Sequence, residues 1–134
     1  MFKPNKGLFN SFRKKAINKR EAGQQFEDLA CTYLKKQGLK LKKRNVAFST
    51  GEIDLIMEDQ STLVFVEVRF RQQSEYGGAA ASVDWFKQNK LIKTAQLYLQ
   101  QQYGNTPPRC RFDVVAIQGS NKQFDINWIK NAIG

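Results

Sequence analysis

Two carboxylates stand in segments that otherwise have the composition of a buried β-sheet. Asp54 lies in EIDLIME (52–58), and Glu67 lies in TLVFVEVRFR (62–71), among Val, Leu, Ile and Phe. Because a buried carboxylate requires a partner for its charge, we expect these two residues to belong to a site rather than to a plain strand surface.

A hairpin centred on Gln60-Ser61 would bring the two carboxylates together. In that register Asp54 lies directly across from Glu67, and Glu52 lies across from Arg69. Directly opposed side chains have their Cβ atoms about 5 Å apart, and like charges at that distance are destabilising. The pair therefore needs either a cation or a shared proton.

A divalent cation would suit these residues chemically. Mg²⁺ and Mn²⁺ prefer carboxylate oxygens and water as ligands. Asp54 and Glu67 supply two carboxylates, and Glu27, at the edge of the buried face of a predicted helix, supplies a third. Such an ion binds a phosphate oxygen and lowers the pKa of an attacking water, while Arg69 would stabilise the charge that grows on the phosphate.

Histidine is absent from the sequence. This excludes Ser-His-Asp and Cys-His catalysis, zinc held by histidine, and a histidine base. The two cysteines, Cys31 and Cys110, are far apart and are expected to be reduced and packed as small hydrophobic residues.

Ordinary structural roles remain open for the same charged residues. Glu52 and Arg69 would also make a cross-strand ion pair of no functional consequence. Glu27 taken alone would also fit a solvated position on a helix.

The positive charge is concentrated in two short blocks. The chain of 134 residues carries a net charge of +10, from 22 basic and 12 acidic residues. Residues 1–20 and 35–44 together hold thirteen of the basic residues and none of the acidic ones. A polyanionic partner is expected, either nucleic acid or an anionic membrane surface.

These blocks supply most of the predicted nucleic-acid contacts, and the first turn of a long helix supplies two more. The predicted contacts are Arg13, Lys14, Lys15, Lys35, Lys36, Lys42, Lys43, Arg44, Lys87 and Gln88. Residues 1–20 are interpreted as a basic tail or a short amphipathic helix, and 21–134 as a single domain. An exposed, solvated first turn is an equal alternative for Lys87 and Gln88.

Apolar periodicity predicts the elements that position these residues. Helical spacing is present at 20–37, which ends at Gly38, and from about Asp84 to Tyr103. Strands are predicted at 39–48, 52–58, 62–71, 110–117 and about 123–127, before a short closing segment WIKNAI. The segment at 62–71 is apolar on both faces, which is typical of a central strand covered on both sides. The order α-β-β-β-α-β-β indicates an α/β fold with a mixed central sheet flanked by helices.

Several of these segments together resemble the YraN family of small bacterial proteins. The resemblance rests on GEIDLI (51–56), LVFVEVRFR (63–71), GGAAASV (77–83), KQNKL (87–91) and RFDVVAI (111–117). The spacing from Gly23 to Glu27 and the closing WIKNAI also fit.

That family is in turn similar to the restriction-endonuclease-like PD-(D/E)xK superfamily, including archaeal Holliday-junction resolvases. The resemblance implies that Asp54 and Glu67 are metal-binding carboxylates and that Glu27 is the acidic residue of the first helix. Arg69 falls where the superfamily most often has lysine. Lysine is able to lose its proton and act on water, whereas arginine stays charged and only stabilises and orients.

Three hypotheses about function follow. The first is a metal-dependent, cytoplasmic endonuclease-like protein that acts on DNA, including branched DNA, with Mg²⁺ or Mn²⁺ as cofactor. The second is a nucleic-acid binding module with the same fold and no catalysis. The third is a peripheral membrane or protein adaptor that uses the N-terminal segment, since no segment is apolar enough to span a membrane. A homodimer is expected only by analogy with junction-cutting enzymes, whose substrates have two-fold symmetry.

Overall fold

The computed structural model describes residues 19–72, 85–119 and 123–133. These ranges form the helices α1 (Lys19–Lys36) and α2 (Trp85–Tyr103) and the strands β1 (Lys40–Phe48), β2 (Gly51–Asp59), β3 (Thr62–Gln72), β4 (Cys110–Gly119) and β5 (Phe124–Ile133). The predicted order α-β-β-β-α-β-β is confirmed. The predicted contacts Arg13, Lys14 and Lys15, the glycine pair 77–78 and the predicted helix start at Asp84 lie outside the described residues.

The five strands form one mixed sheet in the order β1-β2-β3-β4-β5. Neighbouring strands are antiparallel except β3 and β4, which are parallel. Helix α2 lies in the connection between these two, as a parallel pair requires. The strand β3 is therefore central, as predicted.

Each helix covers one face of the sheet with its apolar side. The α1 cluster joins that helix to alternate residues of β3 and includes Phe26, Leu29, Ala30, Leu34, Val64 and Val66. The α2 cluster includes Leu91, Ala95, Tyr98, Leu63 and Phe65. Residues that alternate along β3 thus belong to opposite layers, which explains why both faces of that strand are apolar. Neither of the described helices is long and apolar enough to cross a membrane.

The end of α1 and the β2–β3 turn follow the predicted chemistry. Gly38 ends the helix with a φ of 103°, and the amide of Leu39 donates a 3.1 Å hydrogen bond to the carbonyl of Leu34. Gln60 has a φ of 57°, as the first residue of a two-residue hairpin loop requires. The β2–β3 register runs from Asp59–Thr62 onward and is the predicted one.

The C-terminal segment differs from the prediction of a short strand followed by a separate WIKNAI segment. A single strand continues to Ile133. Its register against β4 shifts between Phe112 and Val114, and Asn131 has a φ of 53°. A bulge of this kind lets one strand absorb a local irregularity without ending, and the apolar periodicity does not reveal it.

The two cysteines are free, in agreement with the prediction. Cys31 is buried in the α1 cluster, as expected. Cys110 is exposed at the first position of β4, so its predicted packing as a small hydrophobic residue is wrong.

Candidate active site

The sheet opens at the position of the first carboxylate. Pairing between β2 and β3 ends at Leu55–Val66. Beyond that pair, β2 remains bonded to β1, and β3 remains bonded to β4. In the opening, the Oδ2 atom of Asp54 accepts a 2.9 Å hydrogen bond from the amide of Val68. A backbone amide of one strand therefore fixes the carboxylate of the other.

The regular alternation of side chains between the two faces of the sheet is interrupted in β2 at Asp54. Ile53 and Leu55 are both fully buried, but Ile53 packs in the α2 cluster and Leu55 in the α1 cluster. Residues two apart in a regular strand share one face, so the alternation is broken between them. This break explains how Asp54 interacts with a residue of α1 and with a residue of β3 at once.

Glu67 is the partner of Asp54 on β3. Burial and the charge of Asp54 raise the pKa of Glu67 from 4.5 to about 8, against the opposing effects of Arg69 and Lys87. In its protonated form Glu67 donates a hydrogen bond to Asp54. The two carboxylates therefore interact, although the paired register ends at Leu55–Val66, one position before the predicted Asp54–Glu67 pair.

Glu27 approaches the same aspartate from α1. Burial and the charge of Asp54 raise the pKa of Glu27 from 4.5 to about 7, while Arg44 and a hydrogen bond from Asn45 lower it. Its Oε1 atom is buried and accepts no hydrogen bond from any of the described residues. Helix α1 thus contributes an acidic side chain that shares Asp54 with Glu67.

Arg69 is the cation closest to this cluster on β3. Its Nη2 atom makes an ion pair with the Oε2 atom of Glu67, two residues earlier on the same strand. Its Nε donor is buried and has no hydrogen-bond partner within residues 19–72, 85–119 and 123–133. Glu52, the alternative partner expected from the register, is exposed. The structure thus assigns Arg69 to Glu67.

Arg44 lies at the other end of the cluster. Its Nη2 atom is 2.6 Å from Asp28 Oδ1 and 3.9 Å from Glu27 Oε1. The half-buried Arg44, which the sequence placed among the nucleic-acid contacts, is therefore also an electrostatic partner of the carboxylates. Neither this role nor that of Asn45 was predicted. Arg44 is the single arginine in a block of lysines, which is the only signal that the sequence offers.

The remaining predicted contacts are distributed over two surfaces. Lys35 and Lys36 are exposed at the end of α1, and Lys42 and Lys43 are exposed on the edge strand β1, at a bulge. Lys87 is on the first turn of α2, next to Gln88, and its charge lowers the pKa of Glu67. Of these residues, Lys87 is the one whose charge acts on the carboxylate cluster.

Asp113 shows that a buried carboxylate is not always part of such a cluster. It is completely buried on β4 and accepts hydrogen bonds from Arg111, from the Trp128 ring at 3.0 Å and from the Asn131 amide at 2.9 Å. Arg111 also bonds Asp59 at 3.0 Å. Asp113 is fully satisfied and holds β5 against β4.

The donor chemistry of the cluster fits a hard divalent cation, although the side chains are not gathered around one point. Within the described ranges, no group of three or more His, Cys, Asp or Glu side chains is arranged to hold a metal ion. Glu27 and Glu67 each interact with Asp54, and both have a pKa near or above neutrality. Protons therefore neutralise Glu67, and Glu27 in part, in this arrangement. The Glu27 Oε1 atom, which accepts no hydrogen bond from the described residues, is an available ligand.

The fold and site define an α/β protein with an acidic cluster where two central strands separate. Residues 26–117 match the model of a family described as "Uncharacterised protein family UPF0102". The chain belongs to this family, in agreement with the resemblance found in its motifs.

Relatives in the family match most of the chain. A UPF0102 protein of Janthinobacterium sp. (strain Marseille) is 48% identical over 123 residues, which cover 92% of this chain and 95% of the relative. One from Herminiimonas arsenicoxydans is 53% identical over 111 residues, covering 83% and 85%. One from Pseudomonas syringae pv. tomato is 47% identical, covering 85% and 93%.

Proposed function

We propose that the protein is a metal-dependent nuclease that binds DNA, including branched DNA, and hydrolyses phosphodiester bonds. The observation that carries this proposal is that Glu27 and Glu67 each interact with Asp54, and that the charges of Arg69 and Lys87 act on Glu67. The resemblance to the restriction-endonuclease-like superfamily supports it, because that resemblance selects the same residues.

Asp54, Glu67 and Glu27 would hold Mg²⁺ or Mn²⁺ in this proposal. When bound, the ion supplies a Lewis acid for a phosphate oxygen and acidifies a water. Glu27 and Glu67 must lose their protons to act as ligands. The amide of Val68 keeps Asp54 oriented meanwhile.

The two cations would act on the scissile phosphate. The buried Nε donor of Arg69 has no hydrogen-bond partner in the part of the chain that the structure describes, and the phosphate would satisfy it. Arginine stays protonated, so its role is to bind and orient the phosphate and to stabilise developing charge. Lys87 would add a second positive charge from α2, and the exposed lysines at the end of α1 and on β1 would bind the backbone without reading sequence.

A catalytically inactive DNA-binding protein is the second candidate. The observation that favours it is Arg69 itself, because an arginine replaces the residue that would otherwise be able to transfer a proton. This candidate predicts salt-dependent DNA binding with no cleavage of any substrate.

The test is cleavage of linear duplex, single-stranded and four-way-junction DNA with Mg²⁺ or Mn²⁺. Asp54→Asn keeps an acceptor for the Val68 amide but removes the charge, and we expect it to cut at least about 100-fold more slowly. Asp125→Asn, a change of an exposed carboxylate on β5, is the matched control and should cut normally. Equal cutting by Asp54→Asn would indicate a contaminating nuclease and reject the site. Binding without cleavage by the wild type would favour the second candidate.

A further inference from the structure

Two adjacent aromatic side chains are exposed at the start of α2. The exposed fractions are 68% for Trp85 and 71% for Phe86, whereas Leu97, the other exposed large apolar residue of the described ranges, is at 38%. The two rings are 5.1 Å apart and nearly perpendicular, at 82°. Leaving two large rings in water forgoes favourable burial, so this pair is a candidate binding surface.

The aromatic pair is linked to the acidic cluster through the residue that follows it on α2. Trp85 and Phe86 directly precede Lys87, whose charge acts on Glu67. Successive residues advance about 1.5 Å along a helix. The backbone positions of Trp85 and Phe86 therefore lie within about 3 Å, along the helix axis, of that of Lys87, the lysine that is proposed to contact phosphate. The Nδ2 atom of Asn89 donates a 3.0 Å hydrogen bond to the carbonyl of Trp85 and so orders this turn.

We propose that Trp85 and Phe86 form a stacking site for unpaired bases of the strand whose phosphate lies against Lys87. Aromatic rings beside cations are the combination that binds single-stranded nucleic acid. In a duplex the faces of the bases are covered by their neighbours, so only an unpaired base presents a free face to the rings. This inference rests on the proposed function for its location and specifies the substrate as DNA with unpaired bases next to the scissile phosphate.

The test measures binding in EDTA, where no metal-dependent cleavage takes place. Fluorescence anisotropy compares a labelled oligo-dT with a duplex of the same length, for the full chain and for the double variant Trp85→Ala/Phe86→Ala. Stacking of one base corresponds to about 5- to 150-fold in Kd. We therefore expect the double variant to bind oligo-dT at least about fivefold more weakly and the duplex within about twofold of wild type. Leu97→Ala, which removes another exposed apolar side chain from α2, should change neither.

Intrinsic fluorescence provides a second measurement that does not depend on the alanine variants. Oligo-dT should quench Trp85, and Trp85→Phe should abolish the quenching while it preserves most of the affinity. The other tryptophan, Trp128, is half-buried and bonded to Asp113, and it serves as an internal reference. Thermal melting of each variant checks that the fold is retained.

Two results would overturn the inference. The first is an equal loss of oligo-dT and duplex affinity, or no loss of either, in the folded double variant. The second is a dimer in sedimentation that the double variant converts to a monomer, because the rings would then cover a second copy of the chain. The proposed nuclease activity is tested separately. If the protein binds oligo-dT through the two rings but cleaves no substrate, the stacking site is supported and the nuclease activity is rejected.

Discussion

Asp54 and Glu67 lie side by side where β2 and β3 cease to pair, and the charge of Asp54 helps to raise the pKa of Glu67 to about 8. Glu27 has the same relationship to Asp54 from the helix side, with a pKa of about 7. Glu67, and Glu27 in part, therefore carry protons near neutral pH, and a cation would have to displace those protons. Acidity and metal binding are coupled at this site.

The first prediction concerns stability in the absence of metal. Folding raises the pKa of Glu27 and Glu67 above the 4.5 of an ordinary glutamate. As pH rises above 4.5, the unfolded chain releases protons that the folded chain still holds, so the free energy of unfolding falls until pH passes about 8. We expect the Tm in EDTA to decrease from about pH 5 to about pH 8.

Calorimetry of Glu67→Gln checks the assignment. Glutamine resembles the protonated glutamate and does not ionise. This variant should therefore lose part of the pH dependence of Tm, so that its Tm decreases less steeply with pH than that of wild type. Asp125→Asn, the exposed control, should follow the wild-type curve. A Glu67→Gln slope equal to that of wild type would show that Glu67 does not carry the raised pKa.

The second prediction concerns proton release on metal binding. Because Glu27 and Glu67 are both protonated at mildly acidic pH, binding of Mn²⁺ should expel protons, and more of them at about pH 6 than at about pH 9. Titration calorimetry in two buffers of different ionisation enthalpy measures the number released. Asp54→Asn should abolish binding. Binding of Mn²⁺ without proton release would exclude the two glutamates as its ligands.

The sequence predicted which carboxylates of β2 and β3 lie near each other, but it did not predict the local structure around them. The register around Gln60-Ser61 follows from where the two apolar segments end, because a two-residue loop determines every pair after it. The same register placed Asp54 beside Glu67. Strand alternation does not foresee the break between Ile53 and Leu55, which depends on packing against both helices.

The role of Arg44 illustrates the same limit. Its place in a lysine-rich block predicts contact with nucleic acid, and sequence alone contains no information on which lysines or arginines face α1. The ion pairs with Asp28 and Glu27 arise because β1 lies beside β2 and α1 packs over both. Tertiary contacts between separate elements of this kind are not encoded in a local pattern.

The third prediction therefore distinguishes Arg44 from its neighbours. Arg44→Gln removes a charge that lowers the pKa of Glu27, so the pH at which Mn²⁺ binding is half-maximal should increase. Lys43→Gln removes an adjacent exposed charge and should leave that midpoint unchanged. It should instead lower the salt dependence of DNA binding: the slope of log K against log salt concentration should decrease by about one unit if one phosphate contact is lost. Free Mn²⁺ measured by electron paramagnetic resonance across pH gives the midpoint. If both variants shift it equally, Arg44 acts only through general charge.

The fourth prediction concerns Arg69, which makes an ion pair with Glu67 and whose buried Nε donor has no hydrogen-bond partner among the described residues. Arg69→Ala removes the counter-charge of Glu67 and the proposed phosphate donor, and the cleavage rate should fall by about 10²–10³. Arg69→Lys keeps a cation at the same position and should cut within about tenfold of wild type, because the residue is proposed to act by charge.

The pH–rate profile of Arg69→Lys separates the two roles that a cation has at this position. If charge alone matters, the profile keeps its wild-type shape, with the limb set by Glu27 and Glu67. If the lysine acts as a base, the pH–rate profile of Arg69→Lys contains an additional ionisation. If Arg69→Lys cleaves DNA and the wild type does not, the native chain binds DNA but lacks a proton acceptor. Wild-type rates in Arg69→Ala would remove Arg69 from the site altogether. Each result therefore assigns this arginine either to charge stabilisation, to the replacement of a lost base, or to structure alone.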